Sequence, residues 1–277
     1  MTTDQSNGLA MPVAVVSDGS GLAEPVGFEL DSVLRGYARL LRQLGGPRAC
    51  DILLNAYDAH ELVDGLRALP AEVRAVYLVH TDASRLATVQ RNLGGGSGGR
   101  LVIADQDVTA MALCAKLLTI LTRRGRATAT SQVVLAEGST LPNLGPLLMA
   151  VQIFDIAFWK EADAPIFPLE RVSQDADAVI DLRTEQHDDL RALGETGPAI
   201  LTPKDKDFVG SIGALPGLLN VALDSPITRI DIDVYAAVAQ ALCTMTPPDQ
   251  DFPGIDPALT DSIEWTVRQA VRHPRGT

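Results

Sequence analysis

The chain has 277 residues, room for about two domains of ordinary size or one large α/β unit. Hydrophobic residues make up 46% and charged residues 21%, a balance that excludes disordered, coiled-coil and collagen-like chains. With 35 acidic against 23 basic residues the net charge is −12, a field that repels nucleic-acid backbones and anionic lipid surfaces, so neither is expected as a partner.

The longest strongly apolar stretches, 113–121 and 147–154, fall far below the ~18 to 20 residues that a membrane span needs. The polar opening segment lacks the basic-then-apolar pattern of a secretory signal, and a cytoplasmic location is expected. Cys50, Cys114 and Cys243 are odd in number, far apart and without CxxC spacing, as reduced core thiols are.

In chain order, an apolar run at 12–16 ending in a Ser-Asp-Gly-Ser-Gly turn predicts a buried strand. A helix follows over 31–44, where Val33, Leu34, Tyr37, Leu40, Leu41 and Leu44 recur at three-and-four spacing and Gly45-Gly46 stops it. Arg35, Arg39 and Arg42 fall on its opposite, solvated side. Strand 51–56, helix 60–69, strand 73–79 and helix 82–93 alternate as in a parallel sheet. A glycine-rich loop at 94–99 has no phosphate-binding spacing, and strand 101–104 leads into the longest helix pattern, 108–123. A second series follows: strand 132–136, helix 143–154, strand 156–159, helix 169–174, strand 178–182, helix 188–193 and strand 199–201. Helices at 232–245 and 257–273 close the chain, and no internal repeat is visible.

Five segments in order resemble one family, the malic enzymes, which oxidatively decarboxylate malate with NAD(P). Residues 13–20, VAVVSDGS, resemble that family's strand ending in VVTDG, and 61–69, ELVDGLRAL, resemble the helix before its metal strand. Residues 105–110, DQDVTA, resemble its DDQHGTA segment, 214–223, ALPGLLNVAL, its FPGIFRGAL, and 256–271 its closing helix. The resemblance implies an α/β fold with a malic-enzyme-like substrate domain built from both chain ends, 1–104 and 212–277, around an inserted Rossmann-like parallel-sheet domain, 105–211. It also implies a small-molecule substrate, a homodimer, a divalent metal, a nicotinamide cofactor, a lysine base and a tyrosine acid.

Several of those parts are replaced. No tyrosine occurs in the eleven residues before Pro12, where the family's YTPGVA segment would lie. Tyr37 aligns with the lysine of the family's GKAVLFK segment, and Val79-His80 stand where the metal strand ends in Glu-Asp, which leaves Asp105 as the one familiar metal ligand. One carboxylate and one imidazole make a poor site for a hard cation. The asparagine pair before FPG becomes Gly210-Ser211, and the dinucleotide turn, 136–142, keeps one glycine of three. Glu137 there puts negative charge beside any pyrophosphate, and Gly138 and Ser139 are left as the cofactor-side candidates.

Asp18, Tyr37, His80, Asp105 and Asp107 are therefore the candidate catalytic residues, expected to converge on one cleft. His80 at a strand end is read as base or acid, Tyr37 as a hydrogen-bond donor, and Asp105 as an orienting group or weak metal ligand. The blander roles are a core histidine, a buried tyrosine, and Asp105 or Asp107 as N-cap of the long helix. The expected function is non-redox acid–base chemistry in the former malate cleft; the alternatives are a non-catalytic dimeric scaffold and a nicotinamide-dependent oxidoreductase of altered substrate. The cluster His187-Asp188-Asp189 reads as capping and 204–207 as a solvated charged loop, and no GxSxG, HExxH or P-loop pattern occurs.

Overall fold

The computed structural model describes residues 11–22, 27–94, 99–184, 190, 197–203, 212–225 and 227–272. They divide into two compact units, Met1–Ile103 with Ala222–Arg229, and Ala104–Val221 with Ile230–Thr277.

The first unit is built on β1 (Val13–Ser17), α1 (Gly27–Gln43), β2 (Ala49–Leu53), α2 (Ala59–Arg67), β3 (Ala75–Leu78), α3 (Ala83–Leu93) and β4 (Leu101–Ala104). The strands lie in the order β2-β1-β3-β4, with β1 parallel to both of its neighbours. β1, β3 and β4 are buried along their whole length, as expected of strands covered on both faces. Helix α1 begins four residues before the expected start because Leu30, buried like Leu34 one turn later, extends the apolar stripe backwards. Arg35, Arg39 and Arg42 are exposed as the spacing predicts. Two aspartates start the next helices: Asp58 accepts from the backbone N–H groups of His60 and Glu61, and Asp82 from that of Ser84. Hydrogen bonds hold both carboxyls below the ordinary range, those from the Glu61 and His60 N–H groups at Asp58, and that from the Ser84 hydroxyl followed by its N–H at Asp82.

The second unit comprises α4 (Asp105–Arg123), β5 (Gln132–Ala136), α5 (Leu144–Ala150), β6 (Asp155–Trp159), α6 (Leu169–Val172), β7 (Ala178–Asp181), β8 (Ala199–Leu201), α7 (Leu215–Asp224) as far as Val221, α8 (Ile232–Met245) and α9 (Pro257–Arg272). Its parallel sheet has the order β6-β5-β7-β8. Helix α4 is buried on nearly every side, packing against α5, α8 and β8, and α9 packs on α8. The packing groups Ile230–Thr277, and with it both closing helices, in the same unit as the second sheet. The reason lies in apolar burial: α8 packs against α4, α5 and α9 and buries Val234, Ala236, Val238, Ala239 and Leu242, and Leu259, Ile263 and Val267 of α9 are buried in turn.

Helix α7 has no counterpart among the expected elements. Proline is tolerated in a first helical turn, and Gly217 is required there by close packing: a Cβ would lie 2.9 Å from Cβ of Ile263 and from the Thr260 carbonyl oxygen of α9. The expected helix at 143–154 is cut to seven residues, ending with Gln152 at a φ of 69° and the Ile153 N–H bonded back to the Leu148 carbonyl. The expected helix 188–193 apart from Leu190, the 204–207 loop, Gly210-Ser211 and most of the glycine run lie outside the described residues. Of the cysteines, Cys114 is buried, with its thiol pushed far up by desolvation, and Cys50 and Cys243 are half-buried; all three are unbridged. Among the described residues no helix is long and apolar enough to cross a membrane.

Candidate functional site

The two sheets share one plan. In each, the first strand of the set lies inside, the second pairs on one side of it, and the third and fourth follow on the other. Each sheet therefore has a point beside its first strand where the chain reverses its direction of travel across the sheet, and open α/β sheets bind ligands beyond the carboxyl ends of the strands at such points.

In the first unit that point lies between the ends of β1 and β3. Asp18 follows β1 directly, its carboxylate wholly buried. Oδ1 accepts from the Ser20 N–H at 3.2 Å, the Ser20 hydroxyl at 2.8 Å and the Thr81 hydroxyl at 3.0 Å; Oδ2 takes an Arg85 guanidinium N–H at 2.7 Å. Arg85 also donates to the carbonyls of Ala56 and Tyr57, so one ion pair gathers the segments that follow β1, β2 and β3. Asp18, one of the five candidates, is thus a bracket with both oxygens engaged.

His80 lies just beyond β3 in the left-handed region, at a φ of 52°. A residue with a Cβ pays for that conformation, and such positions gather where surrounding structure enforces them. Enforcement comes from Gly21, whose N–H donates to the His80 carbonyl at 2.9 Å. The imidazole stands 6.2 Å from the Tyr37 ring, centroid to centroid, and Tyr37 meets the buried Tyr77 edge-on at 5.8 Å. The structure thus brings His80 and Tyr37 together, both half-buried, next to the Asp18–Arg85 bracket.

Gly21 gives a direct test of that scaffold. A Cβ there would sit 2.9 Å from the His80 carbonyl carbon and 3.1 Å from its oxygen, against backbone that cannot swing aside. Gly21→Ala is expected to lower stability by about 1–3 kcal/mol, whereas Gly36→Ala on the open face of α1 raises it by about 0.5–1 kcal/mol. Urea titrations of both variants check the pair; equal midpoints would remove the close approach from the account.

Asp105 and Asp107 belong to the second unit, at the start of α4. Neither is the N-cap. Ala104 holds that position, and Asp107, three residues on, reaches back to accept its N–H at 3.0 Å. The other Asp107 oxygen accepts from the Asn143 amide at 2.6 Å, and the Tyr235 phenol bonds to the same carboxylate. Burial, then the nearby Asp107 charge, pushes the Tyr235 phenol well above its ordinary range. Asp107 is buried and structural in its contacts; Asp105 is half-buried and accepts from the Gln106 N–H at 2.8 Å.

The second sheet's reversal point lies between β5 and β7, at a cavity of about 510 Å³ lined by Glu137, Thr140, Glu161, Leu182, Arg183 and Thr184. Arg183 clasps Asp181 with two hydrogen bonds, 2.9 and 2.8 Å, and lies 5.6 Å over the Trp159 ring, so its charge is already balanced. Glu137 is left-handed, φ 54°, and its carboxylate accepts the Glu161 N–H at 2.7 Å. The segment after β5 is a single tight turn at Gly138–Thr140, and α5 begins only at Leu144. A dinucleotide diphosphate needs glycine backbone and a helix start where this chain has a carboxylate and a closed turn, so the group does not fit. A divalent metal fits no better: among the described residues no three His, Cys, Asp or Glu side chains converge to hold one.

Sequence reasoning missed Arg85, Thr81, Tyr77, Asn143, Tyr235, Asp181, Arg183 and Glu161. Only the Asp181 and Arg183 pair, at the end of an apolar strand, left a local signal; the rest are partners chosen by distant segments.

These features define a two-unit α/β protein of parallel sheets with polar groups gathered beyond the strand ends. More particularly, its fold is that of the malic enzymes. The chain is similar to the malic enzyme of Entamoeba histolytica, with a TM-score of 0.79 and 17% identity over 94% of this chain and 69% of that one. The malic enzyme of Pyrococcus horikoshii gives 0.78 and 17% over 95% and 77%, and the NAD-dependent malic enzyme of Thermotoga maritima 0.77 and 17% over 92% and 83%. No protein-family model and no curated protein matches the sequence.

Proposed function

We propose that this chain is a divergent, homodimeric, cytoplasmic protein of malic-enzyme fold that does not oxidatively decarboxylate malate. In this reading it performs non-redox acid–base chemistry on a small, oxygen-rich or carbonyl compound. The observation that carries it is His80, fixed in a left-handed conformation at the end of β3 with its ring beside Tyr37. An imidazole can take or give a proton, and a phenol beside it donates a hydrogen bond to a substrate oxygen that gains charge as the proton leaves. Asp18 and Asp107 position other groups in this reading, because their oxygens are committed to internal donors. Asp105 remains a proposed contributor, to be tested by Asp105→Asn. Glu137, lying where a diphosphate would sit, argues against the nicotinamide-dependent alternative, and neither metal nor nicotinamide is given a step. The scaffold alternative draws its support from the same saturated carboxylates.

The test follows exchange of the carbon-bound protons of malate, oxaloacetate and pyruvate in deuterated water by NMR. Wild type is expected to accelerate exchange for at least one of them. His80→Asn, which keeps the left-handed backbone accessible, is expected to lose about 100-fold or more, and Tyr37→Phe less. Exchange unchanged in His80→Asn, or none with any compound, overturns the assignment. In parallel, NAD⁺ and NADP⁺ with and without Mg²⁺ are expected to leave the thermal midpoint unmoved, whereas real binding at about 100 times Kd adds roughly 2.7 kcal/mol.

A further inference from the structure

An edge strand with an apolar face is a hazard that folded proteins blunt or cover. Among the described residues the two sheets have four edges, of which three are blunted: β2 is half-buried and carries the exposed Asp51, β4 is buried, and β8 has three residues. The fourth, β6, is not. It pairs with β5 on one side and, among the described residues, stands at the end of its sheet. Side chains alternate along a strand, so Phe154, Ile156 and Phe158 fall on one face, and Phe154 and Phe158 are 64% and 65% exposed. Phe158 lies against Gly145 of α5, and Met149, one turn further along that helix, is also exposed. Ile166 and Phe167, both exposed, follow the strand's end, where the Trp159 indole N–H donates to the Phe167 carbonyl.

We propose that this edge is the seam of the homodimer, with β6 pairing antiparallel to β6 of a second copy about Ile156. The inference rests on the dimeric state named above and adds its interface. The first argument is area. The five exposed side chains present on the order of 600 Å² of apolar surface, taking ~200 Å² for each large side chain when fully open. That is most of the roughly 800 Å² per partner of a stable interface.

The second argument is self-complementarity. A two-fold axis perpendicular to the sheet keeps every residue on its own face, so a strand and its copy pair residues two, four or six apart in number, or a residue with itself. Centred on Ile156, Phe154 faces Phe158 of the copy twice, Ile156 faces itself and Asp155 faces Ala157, with no acid opposite an acid. Centred on Phe158, Asp155 would face Glu161. The strand carries a single acid, Asp155, and that is bonded to the Gln132 amide at 2.8 Å, so two copies of a chain of net charge −12 meet here with little repulsion.

Sedimentation equilibrium over the micromolar range is the test. Wild type is expected as a dimer, Phe154→Lys and Phe158→Lys as monomers with unchanged circular dichroism, and Trp265→Lys, at an exposed aromatic on α9, as a dimer. Ile156→Cys is expected to cross-link to its own copy on oxidation while wild type, with its own three cysteines, does not, since facing Cα atoms at about 4.5–5.5 Å suit a disulfide. A wild-type monomer overturns both the seam and the dimeric reading and leaves the edge to another occupant. A dimer that survives both lysine variants overturns the seam alone.

Discussion

Asp18→Ala is expected to cost the protein about 3 kcal/mol, enough to lower the thermal midpoint of the first unit by on the order of 10 °C. The carboxylate is wholly buried, and its removal strands the Arg85 guanidinium, the Thr81 hydroxyl and the Ser20 N–H together. The arginine side chain is 22% exposed, so water recovers part of its solvation, which keeps the loss at the lower end for a broken buried pair. Arg85→Met in the same background should recover part of the loss, because the stranded charge is then gone. Urea unfolding of the two single variants and the double variant measures the coupling. A single-variant loss below about 0.5 kcal/mol would mean that the bracket contributes nothing beyond an ordinary surface pair.

Asp107→Ala is expected to be as severe. It leaves the Ala104 N–H, the Asn143 amide and the Tyr235 phenol without their acceptor in a buried place, a loss of about 3–5 kcal/mol. The same cluster predicts a pH dependence with a definite sign. The Tyr235 phenol is raised when folded, so its un-ionised form is favoured by the fold. Its stabilising share is fully present below about pH 10 and is lost as pH rises above that, where the unfolded chain ionises first. Urea midpoints compared at about pH 9 and pH 11 should fall more steeply for wild type than for Tyr235→Phe. Parallel slopes would show that the phenol is not held un-ionised by its surroundings. At the other end, the depressed Asp58 and Asp82 carboxyls contribute stability above about pH 4 that is lost as acid protonates them.

Both aspartates were legible as polar residues at the ends of apolar runs, and from sequence a carboxylate in that position reads equally as a catalyst or as a cap. Burial and partners separate the two meanings. Asp18 meets Arg85 across 67 residues and Asp107 meets Asn143 across 36, distances over which no local pattern carries information. His80 is the opposite case: its place after an apolar run was visible, but its left-handed backbone depends on Gly21, which approaches from another segment.

What the sequence determined by itself was the alternation of strands and helices, because side-chain periodicity and caps act within a few residues. The runs 101–104, 132–136 and 199–201 and the helix 232–245 appear with those bounds. The order of motifs likewise reached the malic-enzyme fold despite 17% identity to its solved examples. Only the tertiary structure decided that the two sheets share one strand order, that α8 docks on α4 and α5, and that residues 215–224 form a helix. Strand order and helix docking are settled by which apolar faces leave water together, and that free energy belongs to pairs of segments, not to either one alone.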